Sequence, residues 1–490
     1  MSFAAAGGRY SANSMGGRIN DKAGKPLLTA TIVLAFAACH TPPPRPDLPL
    51  QSAPAFSVTE GVERVREWWL ALADPQLNEH IRRSLSTNFT LRGAFERLRA
   101  ARAIALREGA ALEPTLDAIA GVTYRDIRGN AVVGLGNQQQ TQHRLGLQTS
   151  YELDLWGRIR ATVDAAEFEL RATTEDFQAA AVGLSADVAI TAYRLTESQA
   201  QLALIESQLA TNRSVLAVIE NRFAIGLSNG ADVLRQRQLV EATREQRILE
   251  RAVAEVLEHQ LAVLIGEPPQ GPVRLAPPAS LPPLPALPEI GLPAQLLQRR
   301  PDVRAAFLRL ESADASVAAA VRDQYPRIDL AASISASAED ASDILSAWIG
   351  ELAAQLTAPL LDGGRRRNEV DRTVAVRGQR LAEYGDTILS AFQDVEDALT
   401  AERRQMERIG SLERQSELAA TTYTELRNQY MNGAADFIDV LVSLRDQQGL
   451  ERNLLEARLL SIEARIAVHR AIAGGFLQPG EDPDQQAESP

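Results

Sequence analysis

The stretch Phe223-Ala224-Ile225-Gly226-Leu227-Ser228-Asn229-Gly230-Ala231-Asp232-Val233-Leu234 returns 207 residues later as Tyr430-Met431-Asn432-Gly433-Ala434-Ala435-Asp436-Phe437-Ile438-Asp439-Val440-Leu441. An aromatic residue, a glycine three positions on and an Asp-Val-Leu triplet keep their places in both copies. The same offset pairs Gly157-Arg158 with Gly364-Arg365. At an offset of 212, Ala94-Phe95-Glu96-Arg97-Leu98 matches Ala306-Phe307-Leu308-Arg309-Leu310, and Pro114-Thr115-Leu116-Asp117 matches Pro326-Arg327-Ile328-Asp329. Self-similarity on this scale marks a duplicated unit. It divides the chain into residues 60–267 and 293–475, with a Pro-rich linker at 268–292.

Within each unit, two period-two segments precede a long helical run. Leu116, Ala118, Ala120, Val122 and Tyr124 alternate with Asp117, Thr123 and Arg125; Leu145, Leu147, Tyr151, Leu153 and Leu155 alternate with Arg144, Gln148, Glu152 and Asp154. In the second unit Ile328, Leu330, Ala332 and Ile334 oppose Arg327, Asp329, Ser333 and Ser335, and Trp348, Leu352, Ala354 and Leu356 oppose Glu351, Gln355 and Thr357. Strict alternation predicts strands, and each segment approaches the ~9–11 residues of a tilted membrane strand. A soluble sheet with one buried face gives the same pattern. Four strands cannot close a membrane barrel, whose minimum is ~8, so the membrane reading requires several chains. Asn130 to Gln142 and Glu339 to Ser346 are the expected loops.

Between Gly157 and Phe223 there is no proline and one internal glycine, Gly183. A helix over that range is ~100 Å long, and Gly364 to Tyr430 is its counterpart. Leu202, Ile205, Leu209, Leu216, Ile219 and Phe223 fall on one heptad seam, as do Ile409, Leu412, Tyr423, Leu426 and Tyr430, with Asn212 and Ser416 as interruptions. Such seams pack helices side by side. Each long helix is expected to turn at Gly226 or Gly433 and return as a helix starting near Asp232 or Asp439, running to about Ile265 and Ala473. Two further helices, about Asn88 to Glu113 and Pro293 to Asp323, lead into the strands.

The N-terminus carries Arg18, Lys22 and Lys25, then the apolar run Pro26 to Ala38, then Cys39, the only cysteine. This reads as an export signal over 1–38, with Met15 as an alternative start, followed by a lipidated linker at 39–59. Phe36 stands where lipobox sequences usually carry an aliphatic residue, and an ordinary signal with an incidental cysteine is the alternative. No other apolar run approaches the ~20 residues of a spanning helix. Removing residues 1–38 leaves 47 basic against 62 acidic side chains, which argues against nucleic acid as a partner. His40, His80, His143, His259 and His469 are isolated, and no phosphate-binding glycine loop occurs, so no enzyme or cofactor is expected. Residues 476–490 form a polar tail.

Laid out this way, the chain resembles a TolC-type outer-membrane efflux factor of the NodT-like lipoprotein branch. Four signatures carry the resemblance: Trp68-Trp69 with Asp74-Pro75-x-Leu77; Tyr151-Glu152-Leu153-Asp154-Leu155-Trp156-Gly157-Arg158; Asp362-Gly363-Gly364-Arg365; and the paired turns ending in Asp232-Val233-Leu234 and Asp439-Val440-Leu441. The resemblance implies a mainly α protein with membrane β: long helical hairpins forming a periplasmic tube, and four strands per chain of a shared barrel in a homotrimer. It implies a periplasmic adaptor and an inner-membrane transporter as partners, and His40 after the cysteine agrees with outer-membrane sorting. It places a gate at Asp232 and Asp439, with Tyr430 and Arg445 as neighbours. Many relatives are acidic three residues after Asp439, where this chain has Val442. Either aspartate could instead be a helix N-cap. Arg365, Arg366 and Arg367 mark the barrel–tube boundary. A type I protein-secretion duct and a periplasmic scaffold without a pore are the rival functions.

Overall fold

The computed structural model describes residues 42–47, 55–57, 67–128, 138–270, 281–291 and 293–474. The export segment 1–38, Cys39, His40 and the tail 476–490 lie outside the described residues, as do parts of both linkers and residues 129–137.

A short turn, Trp68–Leu72, precedes helix α1 (Pro75–Thr87). Asp74 caps α1 by accepting from Gln76 N and Leu77 N, and Asn88 caps α2 (Phe89–Gly109) through Thr90 N and Leu91 N. These short side chains satisfy N–H groups that have no partner within the helix. Strands β1 (Thr115–Ile127) and β2 (Gln138–Leu153) follow, then the helical hairpin of α3 (Arg158–Ala224) and α4 (Gly230–Leu264). The second half runs through α5 (Pro293–Arg299), α6 (Pro301–Arg322), β3 (Arg327–Ala338), β4 (Trp348–Thr357), α7 (Arg365–Met431) and α8 (Phe437–Ile472). Helices α3 and α7 each hold 67 residues, about 100 Å at the helical rise.

The strands form one antiparallel sheet in the order β1-β2-β3-β4. Its register brings the four apolar alternations onto a single face. Ala118 lies opposite Leu147, Leu147 opposite Ile334, and Ile334 opposite Gly350; Ala120, Leu145, Ala336 and Trp348 form the next row. The other face carries rows such as Asp117, Gln148, Ser333 and Glu351. Leu116, Val122, Tyr124, Trp348, Leu352 and Leu356 are all exposed in the single chain.

Four expectations are corrected. The first loop is shorter than Asn130 to Gln142, because Gln138 to Gln142 pair with Ile127 to Thr123; backbone pairing is indifferent to polar side chains where they can be solvated. Leu155 lies beyond the end of β2. The segment Pro293 to Asp323 is two helices, because Pro301 lacks an N–H and forces the preceding residue out of the helical region; Arg300 is extended at φ −67°, ψ 122°. Phe223 is exposed at the end of its seam, whereas Ile205, Leu209 and Ile219 are buried.

The cores sit at two levels. Midway along the tube, Trp68, Trp69, Leu77 and Ile81 pack against Ala181, Ala192 and Tyr193 of α3, Leu261 of α4 and Ile466 of α8. Trp68 Nε1 donates to Ser185 Oγ at 2.9 Å, and its ring stacks on His469 at 5.6 Å. A neighbouring cluster holds Phe56, Ile290, Val303, Ile388 and Val395. The described part of the Pro-rich linker is held there by Arg465, which donates to Ala286 O at 3.0 Å and pairs with buried Glu402. At the far end of the hairpins, Ile219, Val233, Tyr430, Phe437, Val440 and Leu441 form a small separate core.

Candidate gate and channel wall

Both hairpin turns close in the same way. Gly226 N donates to Phe223 O and Leu227 N to Arg222 O; Gly433 N donates to Tyr430 O and Ala434 N to Gln429 O. The glycines stand at φ 75° and 77°, the left-handed conformation that ends a helix without a Cβ clash. This is why glycine recurs at both points of the repeat.

Neither aspartate is an N-cap. Asn229 caps α4, its Oδ1 accepting from Asp232 N at 2.9 Å, and Asp436 occupies the equivalent position before α8. Asp232 and Asp439 each sit three residues into the helix, where a negative charge faces the positive end of the helix dipole. The two differ in surroundings. Asp232 is buried, accepts from Ser228 Oγ at 3.2 Å and pairs with Arg235 at 3.1 Å. Asp439 is exposed beside Val442, and its carboxylate has no hydrogen-bonding or ionic partner among the described residues. The repeat places Val442 where the first turn has Arg235, so the second turn keeps an uncompensated charge.

Tyr430 is buried in the end core, 5.6 Å from the Phe437 ring, with the Arg222 guanidinium 4.8 Å above its own ring. That stacking, a cation–π contact, ties the end of α3 to the end of α7. Arg445 is exposed and lies six residues after Asp439 on α8. Arg222, Ser228, Asn229 and Arg235 were not singled out from sequence. The Asn-x-x-Asp spacing was the available signal for the cap, and an arginine three residues after an aspartate was the signal for the ion pair.

At the other end of the tube, Asp154 accepts from Ile159 N at 3.0 Å and Arg160 N at 2.8 Å, and Asp362 from Gly364 N and Arg366 N. Gly157 and Gly364 take φ 77° and 83° at these strand-to-helix corners. Arg158 pairs with Glu152, and Trp156 Nε1 donates to Pro326 O at 2.7 Å. Of the three predicted boundary arginines, Arg366 bridges Asp323 and Asp362, while Arg365 and Arg367 are exposed.

A sheet segment with one apolar and one polar face, open at both edges among the described residues and continued by two ~100 Å helical hairpins, defines the protomer of a barrel-and-tube channel. No described helix is long and apolar enough to cross a membrane. The chain belongs to the outer membrane efflux protein family, whose model matches residues 80–267 and 292–474. It is 31% identical over 421 residues to the pyoverdine export outer membrane protein OpmQ of Pseudomonas aeruginosa, covering 84% of this chain and 88% of that one. It is 27% identical over 442 residues to nodulation protein T of Rhizobium leguminosarum bv. trifolii, covering 89% and 93% of the two chains. Among solved structures, the outer-membrane channel OprN superposes with a TM-score of 0.82 at 29% identity, over 88% of this chain and 99% of that one. The protein is an outer-membrane efflux duct of the NodT type.

Proposed function

We propose that three copies close the barrel and the tube into a passive duct in the Gram-negative outer membrane. A periplasmic adaptor and an inner-membrane transporter deliver small molecules to it. The observation that carries this reading is the single apolar face that crosses all four strands to two unpaired edges. Lipid tolerates neither an open edge nor an unpaired backbone, and three copies supply twelve strands. The pyoverdine export in the name of OpmQ supports a small organic molecule as cargo. In this reading Asp232 and Asp439 ring the periplasmic constriction, with Tyr430 and Arg445 beside it. The repeats 60–267 and 293–475 each contribute one hairpin to the tube. Purified oligomer in planar bilayers is expected to show discrete, cation-selective conductance steps. A folded, inserted oligomer that stays silent overturns the duct.

The N-terminal strap supports a lipid anchor at Cys39. Buried Arg377 donates to Pro43 O at 2.8 Å and Pro44 O at 3.0 Å, and Arg45 pairs with Glu311 at 2.6 Å. Further on, Phe56 packs edge-on against Phe392. Arg377 lies 12 residues into α7 and Phe392 lies 27 in, about 18 and 40 Å from the barrel junction. From Pro43 to Phe56 the described contacts therefore move down the tube, away from the barrel junction. Wild-type protein is expected to incorporate labelled palmitate, and Cys39→Ser to lose the label while remaining membrane-integral through its barrel. An unlabelled wild type refutes the anchor.

A further inference from the structure

Asn212 breaks the apolar seam of α3, yet it is fully buried. Its Nδ2 donates to Thr243 Oγ1 of α4 at 2.9 Å and to Gln448 Oε1 of α8 at 3.2 Å. Gln448 Nε2 donates back to Asn212 Oδ1 at 2.9 Å. Gln236 Nε2 of α4 reaches the Asn212 carbonyl at 2.8 Å, and Gln208 Nε2 of α3 reaches the Gln448 carbonyl at 3.1 Å. Gln208, Gln236, Thr243 and Gln448 are all buried. Here the first hairpin meets the second through a reciprocal amide pair, whereas one heptad nearer the turns they meet through Ile219, Val233, Val440 and Leu441.

The two contacts respond differently to sliding. Apolar packing is non-directional, so the end core tolerates a small axial shift. A reciprocal amide pair does not, because a shift leaves buried polar groups without partners, at ~1–3 kcal/mol each. Buried asparagines fix register in coiled coils for this reason. Asn212 lies 12 residues before the end of α3, and Gln448 lies 11 residues after the start of α8, about 18 and 17 Å along their helices. When the amides meet, the two turns are level to within about one residue's rise.

We infer that the Asn212–Gln448 pair is the register lock that holds the Asp232 and Asp439 turns at one height. The inference rests on the reading of those turns as the gate, but its test does not use conductance. Spin labels at Leu227→Cys and Ala434→Cys, in full-length oligomer with Cys39→Ser, report the relative height of the turns. Wild-type register is expected to give one narrow distance distribution. Asn212→Leu/Gln448→Leu is expected to keep the helical content and the oligomer. Its distribution is expected to shift or broaden by about one helical turn, ~5 Å. The exchanged pair Asn212→Gln/Gln448→Asn is expected to recover a narrow distribution. If the leucine variant does not assemble, Gln448→Met carries the same test with a side chain of similar length. An unchanged distribution in either apolar variant overturns the lock. A shifted distribution with a gate that is unaffected in bilayers keeps the lock and removes the gate.

Discussion

Arg465→Met is expected to destabilise the helical belt by about 3–5 kcal/mol per chain, the loss typical when one partner of a buried ion pair is removed. The Arg465 and Glu402 side chains are 5% and 12% exposed. Arg465 Nε donates to Glu402 Oε2 at 2.8 Å, and Nη2 engages the second oxygen. Its third nitrogen serves the Pro285 and Ala286 carbonyls, so one side chain joins α8, α7 and the linker between the repeats. Methionine fills much of the volume but leaves Glu402 charged and buried, with those carbonyls short of a donor. Arg465→Met/Glu402→Leu removes the stranded charge and is expected to lose less, about 1–3 kcal/mol from the carbonyls. Denaturant midpoints of the solubilised full chain, followed by circular dichroism, distinguish the two. Equal, small losses refute the argument. Arg465 also acts on His469, whose pKa is held down at about 4, first by burial and then by the arginine charge. In Arg465→Met that pKa is expected to rise but to stay below the ordinary histidine value, because burial remains.

The fold was legible where local chemistry decides it. Period-two alternation identified all four strands, because one face of each must be apolar whatever its partner. The unbroken runs after Gly157 and Gly364 fixed the two long helices, and Gly226 and Gly433 located their ends. What remained hidden depends on partners distant in sequence. Asn212 read as an interruption because Thr243 and Gln448 reach it only in the folded hairpins. The break at Pro301 was legible in principle, since proline restricts the residue before it. The repeat also concealed an asymmetry: it aligned Asp232 with Asp439 but said nothing of Arg235, which neutralises only the first.

That asymmetry sets the largest functional expectation. If both turns line the constriction, Asp232 and Arg235 nearly cancel, and in the second turn Asp436 and Asp439 against Arg445 leave one net negative charge per chain. Three copies place three such charges around the opening, and a carboxylate ring favours cations. At an effective dielectric constant of ~20, each charge about 10 Å from a passing ion contributes ~1–2 kcal/mol, reduced by salt with a screening length of ~8 Å. The ring as a whole is then worth on the order of a tenfold preference, since ~1.4 kcal/mol is a factor of ten. Asp439→Asn is expected to remove most of that preference, and Asp439→Lys to invert it toward anions, each at no more than the ~0.3–1 kcal/mol of its lost dipole interaction, because the side chain is exposed and unpaired. Asp232→Asn differs in kind. It leaves half-exposed Arg235 unpaired and removes a buried, dipole-aligned carboxylate, so a stability loss of ~1 kcal/mol accompanies its electrical effect. Reversal potentials in asymmetric salt, measured alongside thermal unfolding, separate the two residues. If Asp439→Lys conducts with wild-type selectivity, the constriction lies elsewhere along the tube, and the exposed aspartate serves only the dipole of its helix.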